Sequence, residues 1–187
     1  VSFRDLILQY GNIDINEYNT RETLLQKIYD EKIEIDCDTP LEDLGYGNLV
    51  DQLYKKVARP NVVNPIFLTE HPISLSPLAR ANDDNPEITD RFQLIINGAE
   101  IINAYSELVD PQEQERRLEV QAELKAEGDE EAMPMDHEYI SAMEVGMPPI
   151  SGWGMGIDRI VQLLTNSDNI KDVVLFPLMK NKEDINN

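Results

Sequence analysis

The stretch Arg91-Phe92-Gln93-Leu94-Ile95-Ile96-Asn97-Gly98-Ala99-Glu100-Ile101-Ile102-Asn103-Ala104-Tyr105-Ser106-Glu107 decides the fold class. Phe92, Leu94 and Ile96 recur at every second position, the period of a half-buried strand. Asn97-Gly98 is the favoured two-residue hairpin turn, because both positions tolerate positive φ. The return strand runs from Ala99 to about Glu107. The spacing predicts an antiparallel hairpin, and the helical patterns around it predict an α+β fold, an antiparallel sheet flanked by helices.

Alternation along the return strand sends Asn103, Tyr105 and Glu107 to one face. An amide, an aromatic ring and a carboxylate in a row suit an elongated cation, the ring packing on its methylenes and Glu107 meeting its ammonium. The plain alternative is a solvent-facing row. On the other face, a two-residue turn pairs Ile95 with Glu100 and Gln93 with Ile102, so Gln93 and Glu100 become diagonal neighbours. Their oxygens suit a hard cation such as magnesium held together with substrate phosphates; they also suit a cross-strand hydrogen bond. One pocket using Glu100 with Asn103, Tyr105 and Glu107 requires a bulge or strong twist between Glu100 and Asn103.

Further along, Ile150-Ser151-Gly152-Trp153-Gly154-Met155-Gly156 reads as a strand with glycine at every second position. A face without side chains lets a flat group lie against the backbone. Asp158 and Arg159 then open a helix through Val161, Leu163 and Leu164 that ends at Asn166 and Ser167. An arginine in a first helical turn pairs with phosphate oxygens in a bidentate way, so the run points to a nucleotide. Tight packing also produces glycine strands, and the run is not the strand–GxGxxG–helix dinucleotide fingerprint. A last strand is expected over Asp172–Phe176, stopped by Pro177 and followed by a polar tail.

Upstream of the hairpin, residues 1–60 read as packing helices. Ser2 begins one with Phe3, Leu6 and Ile7 as its apolar face, and Thr20 begins a second carrying Leu24, Leu25 and Ile28. Leu49, Val50, Leu53, Tyr54 and Val57 mark a third, ending before Pro60. Residues 64–70 read as a short buried strand that His71-Pro72 ends, and 74–90 as loop. Asp110-Pro111-Gln112-Glu113 starts a charged helix that Gly128 stops. An acidic loop and a short helix over about 138–145 follow. The boundaries expected are a helical segment at 1–60 and a core of mixed strands and helices at 61–187.

The chain has 187 residues, with 36 Asp+Glu against 16 Lys+Arg, a net charge of -20. So acidic a surface argues against a broad nucleic-acid footprint, which needs clustered Lys and Arg. No apolar run approaches the roughly 18 residues of a membrane span. A single cysteine, Cys37, excludes an internal disulfide and a CxxC metal site, and fits a reducing, cytoplasmic setting. Cys37 has no base nearby in sequence, His71 and His137 are too far apart to suggest a chelating pair, and the methionines at 133, 135, 143 and 147 read as core fillers. Because no nucleophile–base pair stands out, the implied catalysis is positioning and charge neutralisation. The chain opens on Val1 rather than Met, so it is expected to be a piece of a longer protein or a processed one.

Gly154-Met155-Gly156-Ile157-Asp158-Arg159 resembles the third signature motif of class II aminoacyl-tRNA synthetases. More narrowly, Ser76-Pro77-Leu78-Ala79-Arg80, Asn85-Pro86-Glu87-Ile88-Thr89-Asp90-Arg91-Phe92, Asn103-Ala104-Tyr105-Ser106-Glu107-Leu108 and Gly152-Trp153-Gly154-Met155-Gly156-Ile157-Asp158-Arg159 together resemble the lysyl-tRNA synthetases, closely over about 60–180 and loosely over 1–60. The resemblance implies ATP-dependent activation of L-lysine to lysyl-adenylate and transfer to tRNA(Lys), with magnesium on the phosphates, in a homodimer. It implies that Glu100, Ile101, Ile102, Asn103, Gly156, Ile157, Asp158 and Arg159 bind ATP, with Arg159 on the γ-phosphate as the catalytic residue. It further implies that Asn103, Tyr105 and Glu107 bind lysine, and that Glu100, with Gln93 beside it, takes the metal. The family usually carries Glu where this chain has Gln93, so the site has one negative charge fewer. The family's first and second motifs and its N-terminal anticodon-binding barrel are not recognisable. The chain is therefore expected to be the C-terminal part of the catalytic domain, inactive alone. A protein-lysylating paralogue and a non-catalytic synthetase-like binding module are the alternative identities.

Overall fold

The computed structural model describes residues 1–177. The chain divides into two compact units, one over Val1–Gly154 and a shorter one from Met155 onward.

The first unit opens with three helices. Helix α1 (Phe3–Gly11) starts where the Ser2 hydroxyl accepts from the Asp5 N–H at 3.1 Å, and ends at Asn12 with φ 53°. Helix α2 (Arg21–Asp30) is closed by a reciprocal Thr20–Thr23 capping box. Helix α3 (Tyr46–Val57) has Gly45 at its N-cap and borrows its cap from far along the chain. The buried Asp129 carboxylate accepts from the Gly45 N–H at 2.8 Å and from Asn48 Nδ2 at 2.8 Å. A carboxylate is favoured there because the helix N-terminus is the positive end of its dipole. The apolar faces of these helices, among them Phe3, Ile7, Leu24, Ile28, Leu49 and Leu53, share one buried core with Leu68 and Ile95 of the sheet.

Strands β1 (Ile66–Pro72), β2 (Ile88–Ile96), β3 (Ala99–Ser106) and β4 (Ser151–Met155) form one sheet in that order, with β1–β2 and β2–β3 antiparallel. The hairpin turns at Asn97 (φ 49°) and Gly98 (φ 69°), as their tolerance of positive φ predicts. Two limits differ from the sequence pattern. His71 and Pro72 lie inside β1, because β2 carries one extra residue opposite Glu70 (φ 56°), a bulge that re-registers the pair and lets His71 meet Thr89. Strand β2 begins at Ile88 rather than near Arg91; there the buried Thr89 hydroxyl donates to the His71 carbonyl at 3.1 Å. Such pairings are invisible to local alternation.

Helix α4 (Pro111–Glu127) is capped by Asp110 and stopped by Gly128 at φ 120°. Helix α5 (His137–Glu144) is capped by Asp136. They enclose a second small core of Leu118, Ile140 and Met143, with Met133, Met135 and Met147 packed against it. Although α4 reads as a charged surface helix, its Gln114 and Arg117 are buried.

The second unit holds α6 (Ile157–Thr165), stopped by Asn166 at φ 53°, and a single helical turn over Ile170–Asp172. The strand expected over Asp172–Phe176 does not form. Apolar content alone does not make a strand, which exists only through pairing, and Leu175 and Phe176 stay exposed. The polar tail after Pro177 lies outside the described residues. Among the described residues no helix is long and apolar enough to cross a membrane.

Gly47 is where α3 meets the turn after β1: a Cβ there would lie 2.3 Å from the Ser74 carbonyl oxygen. Gly47→Ala is expected to destabilise the chain by about 1–3 kcal/mol, the cost of overpacking against a rigid neighbour. The check is the urea midpoint, which should fall with an unchanged m-value.

Candidate functional site

The site grows from a fault in the hairpin. Ile96 pairs with Ala99 and Ile95 with Glu100, but Leu94 then pairs with Ile102, Gln93 with Asn103 and Arg91 with Tyr105. Ile101 is the extra residue of a bulge, its side chain buried. Directly opposed residues share a face. Glu100, Asn103 and Tyr105 therefore stand on the same face as Gln93 and Arg91, where ideal pairing sets Glu100 apart from the other two. The irregularity that a shared pocket requires is present.

Arg91 stands at the centre of that face. It is largely buried, and its Nε donates to Asn103 Oδ1 at 3.0 Å while Nη1 donates to the Leu75 carbonyl at 3.2 Å and the Ser76 hydroxyl at 2.9 Å. Burial lowers its pKa, and the nearby Glu100 opposes that shift. Arg91 borders two pockets. One, about 210 Å³, is lined by Asp51, Lys55, Arg59, Gln93 and Glu100 among others. The second, about 170 Å³, is lined by Pro77, Leu78, Asn103, Tyr105 and Met133 among others.

Glu107 lies one residue beyond β3 and is fixed by its main chain. Its N–H donates to the Ile150 carbonyl at 3.0 Å, and it bridges to Ala79 on the other side. Ala79 is held in turn by α4, where the buried Arg117 donates to its carbonyl at 2.8 Å and to Glu113 Oε1 at 2.7 Å. Hydrogen bonds from Arg116 and then Arg117 pull the Glu113 carboxyl down to about 2. Burial raises the pKa of Glu107, of Tyr105 and of Tyr139 from α5, and the Glu107 charge adds to the rise at both phenols. A Cβ on Gly152 would lie 2.9 Å from Glu107 Oε1, so β4 is bare where that carboxylate sits; at Gly154 the space is open.

The metal assignment divides. Gln93 Nε2 donates to Glu100 Oε2 at 2.9 Å, and Gln93 Oε1 lies 3.3 Å from His71 Nε2. A cation prefers oxygen lone pairs, yet Gln93 turns its N–H toward Glu100. Glu100 thus fits a cation ligand, whereas Gln93 does not. Among the described residues no group of three or more His, Cys, Asp and Glu is placed to hold a metal ion. Cys37 donates to the Thr39 carbonyl at 2.9 Å, and burial raises its thiol pKa, away from a nucleophile's needs.

A family model described as tRNA synthetases class II (D, K and N) matches residues 9–180. The chain belongs to this family. The class II chain is also 41% identical over 180 residues to a lysine–tRNA ligase of Helicobacter hepaticus, covering 96% of itself and 34% of that relative. To a lysine–tRNA ligase of Dehalococcoides mccartyi it is 42% identical over 185 residues, covering 98% of itself and 36% of the relative. To one from Enterobacter sp. it is 45% identical over 167 residues, covering 89% and 32%. It spans about a third of the length of the curated relatives it matches.

Of the class II chain's remaining candidate residues, Gly156, Ile157, Asp158 and Arg159 belong to the second unit. There Gly156 is the N-cap of α6, and a Cβ on it would lie 3.2 Å from Arg159 Cδ, so glycine makes room for the arginine stem. Ile102 is half-buried opposite Leu94, and Ile101 has only its main chain to offer a ligand. Arg91, Tyr139 and His71 were not among the residues singled out by spacing. Arg91 sits within the quoted Asp90-Arg91-Phe92 run, but its hydrogen bond to Asn103 depends on the bulge; Tyr139 arrives from a helix over thirty residues away in sequence.

His71 is fully buried, and burial drives its pKa down to about 3, with Arg91 nearby adding to the fall. An unfolded chain takes up a proton on this ring near pH 6.5. The folded chain binds fewer protons through the window between those values, so acidification favours unfolding there. The urea midpoint of the parent should drop from about pH 6.5 toward 4 more steeply than that of His71→Phe; parallel slopes would show that the folded ring titrates normally.

Proposed function

We propose that this chain is the C-terminal part of the catalytic domain of a lysine–tRNA ligase. On this proposal residues 1–60 are a helical segment of the domain and 61–187 its core with the third signature motif. The observation that carries it is the Asn103–Tyr105–Glu107 row. A partly desolvated carboxylate, flanked by two phenols and facing a bare strand, is what a long-chain ammonium requires.

In this assignment Glu107 meets the lysine ε-ammonium, Tyr105 packs along the methylenes, and Asn103, oriented by Arg91, lies near the lysine carboxylate. Glu100, the main chain at Ile101 and Ile102, Asn103, and the second unit's Gly156, Ile157, Asp158 and Arg159 serve ATP, with Arg159 on the γ-phosphate. The lysine carboxylate oxygen bonds the α-phosphorus while the bond to pyrophosphate breaks; a 3′ hydroxyl of tRNA(Lys) then takes the lysyl group and AMP leaves. Magnesium supplies charge neutralisation on the triphosphate, and Glu100 is the carboxylate that holds it. No side chain attacks covalently, so the rate comes from positioning and charge placement. The active protein is a homodimer, and this chain alone, carrying only part of the ATP site, does not form lysyl-adenylate.

Lysine-dependent ATP–pyrophosphate exchange by the complete gene product tests this. Glu107→Gln should cut it at least about thirtyfold, the equivalent of the ~2 kcal/mol lower bound for losing one partner of a desolvated charge pair. Its urea midpoint at neutral pH should not fall, because the folded chain holds the Glu107 proton more tightly than the unfolded one and bears a cost when that proton is lost. Unchanged exchange overturns the assignment.

A further inference from the structure

Gln93 is buried beneath Glu100, and its amide has two unlike ends. The Nε2 end lies 2.9 Å from Glu100 Oε2 and the Oε1 end 3.3 Å from His71 Nε2. A carboxylate oxygen offers lone pairs, so the N–H end is the one that faces Glu100. The carbonyl is then turned to His71, whose Nε2 must carry the hydrogen. The ring that fixes this direction is itself held, fully buried, with its centroid 5.1 Å from that of Phe3. Each group in the row His71, Gln93, Glu100 sets the orientation of the next.

We infer that Gln93 is a positioning residue for Glu100 and not a second ligand of the phosphate-bound cation, with His71 setting its direction. Only the identity of what Glu100 holds rests on the function proposed above. From the hairpin the pocket is thus lined by one carboxylate, Glu100, and one neutral amide, Gln93. A divalent ion has too few protein ligands to stay by itself and is retained jointly with the phosphates of ATP.

Manganese in place of magnesium makes this measurable without turnover, by the paramagnetic resonance signal of unbound Mn2+ in solutions of the complete gene product with and without ATP. The parent should retain Mn2+ only when ATP is present. Gln93→Leu and His71→Phe should each weaken that retention about tenfold or more, the scale for losing an outer-shell partner of a metal ligand. His71→Gln, which keeps a donor, should restore most of it. Gln93→Glu should make retention independent of ATP. Metal-free lysine binding reports whether each variant is folded, and Gln93→Leu carries the test should His71→Phe not fold. If Glu100→Gln abolishes retention while Gln93→Leu and a folded His71→Phe leave it unchanged or stronger, the positioning role is overturned and the function stands. If Glu100→Gln leaves retention unaltered, the assignment of Glu100 falls and this inference falls with it.

Discussion

One surplus residue in the hairpin governs the site. Side chains in a strand alternate, so without Ile101 as a bulge, Glu100 and the Asn103–Tyr105 pair stand on opposite faces of the sheet. With it, a carboxylate, an amide and a phenol share one face with Gln93 and Arg91. The bulge costs a ladder hydrogen bond, and the burial of the Ile101 side chain offsets part of that cost. Its place near the hairpin end lets the turn stay tight while the rest of β3 shifts by one residue.

The polar groups gathered on this face are held by partners rather than by packing. Arg91 braces Asn103 against the main chain of Leu75; His71 directs Gln93, which steadies Glu100; Arg117 ties the Ala79 segment to α4 and so fixes the backbone beside Glu107. Buried polar groups are tolerable only when their hydrogen bonds are made. Glu107 is the exception in kind. Burial disfavours its charged form. The fold gives up some stability by holding that carboxylate partly buried.

Much of the fold was legible. The Asn97-Gly98 turn, the caps at Ser2, Thr20 and Asp110 and the stop at Gly128 are local chemistry, and each appears where its residue type sets it. The errors share one cause. Strand β2 begins earlier than its alternation, β1 continues through His71 and Pro72, and Asp172–Phe176 is not a strand. In each case the pairing partner, and not the segment's own composition, decides. The acidic loop conceals the same point: Asp129 caps a helix that begins more than eighty residues earlier.

By itself the sequence determined the hairpin, the helix limits, the candidate row Asn103, Tyr105 and Glu107, and the need for an irregularity if Glu100 was to join it, because these follow from periodicity and from the chirality of turn residues. Tertiary structure alone decided that Ile101 is the bulged residue, that Arg91 and Tyr139 border the row, and that Gln93 turns its amide between His71 and Glu100. Those outcomes depend on which groups meet across strands and between distant segments, and hydrogen-bond direction has no sequence signature until both partners are in place.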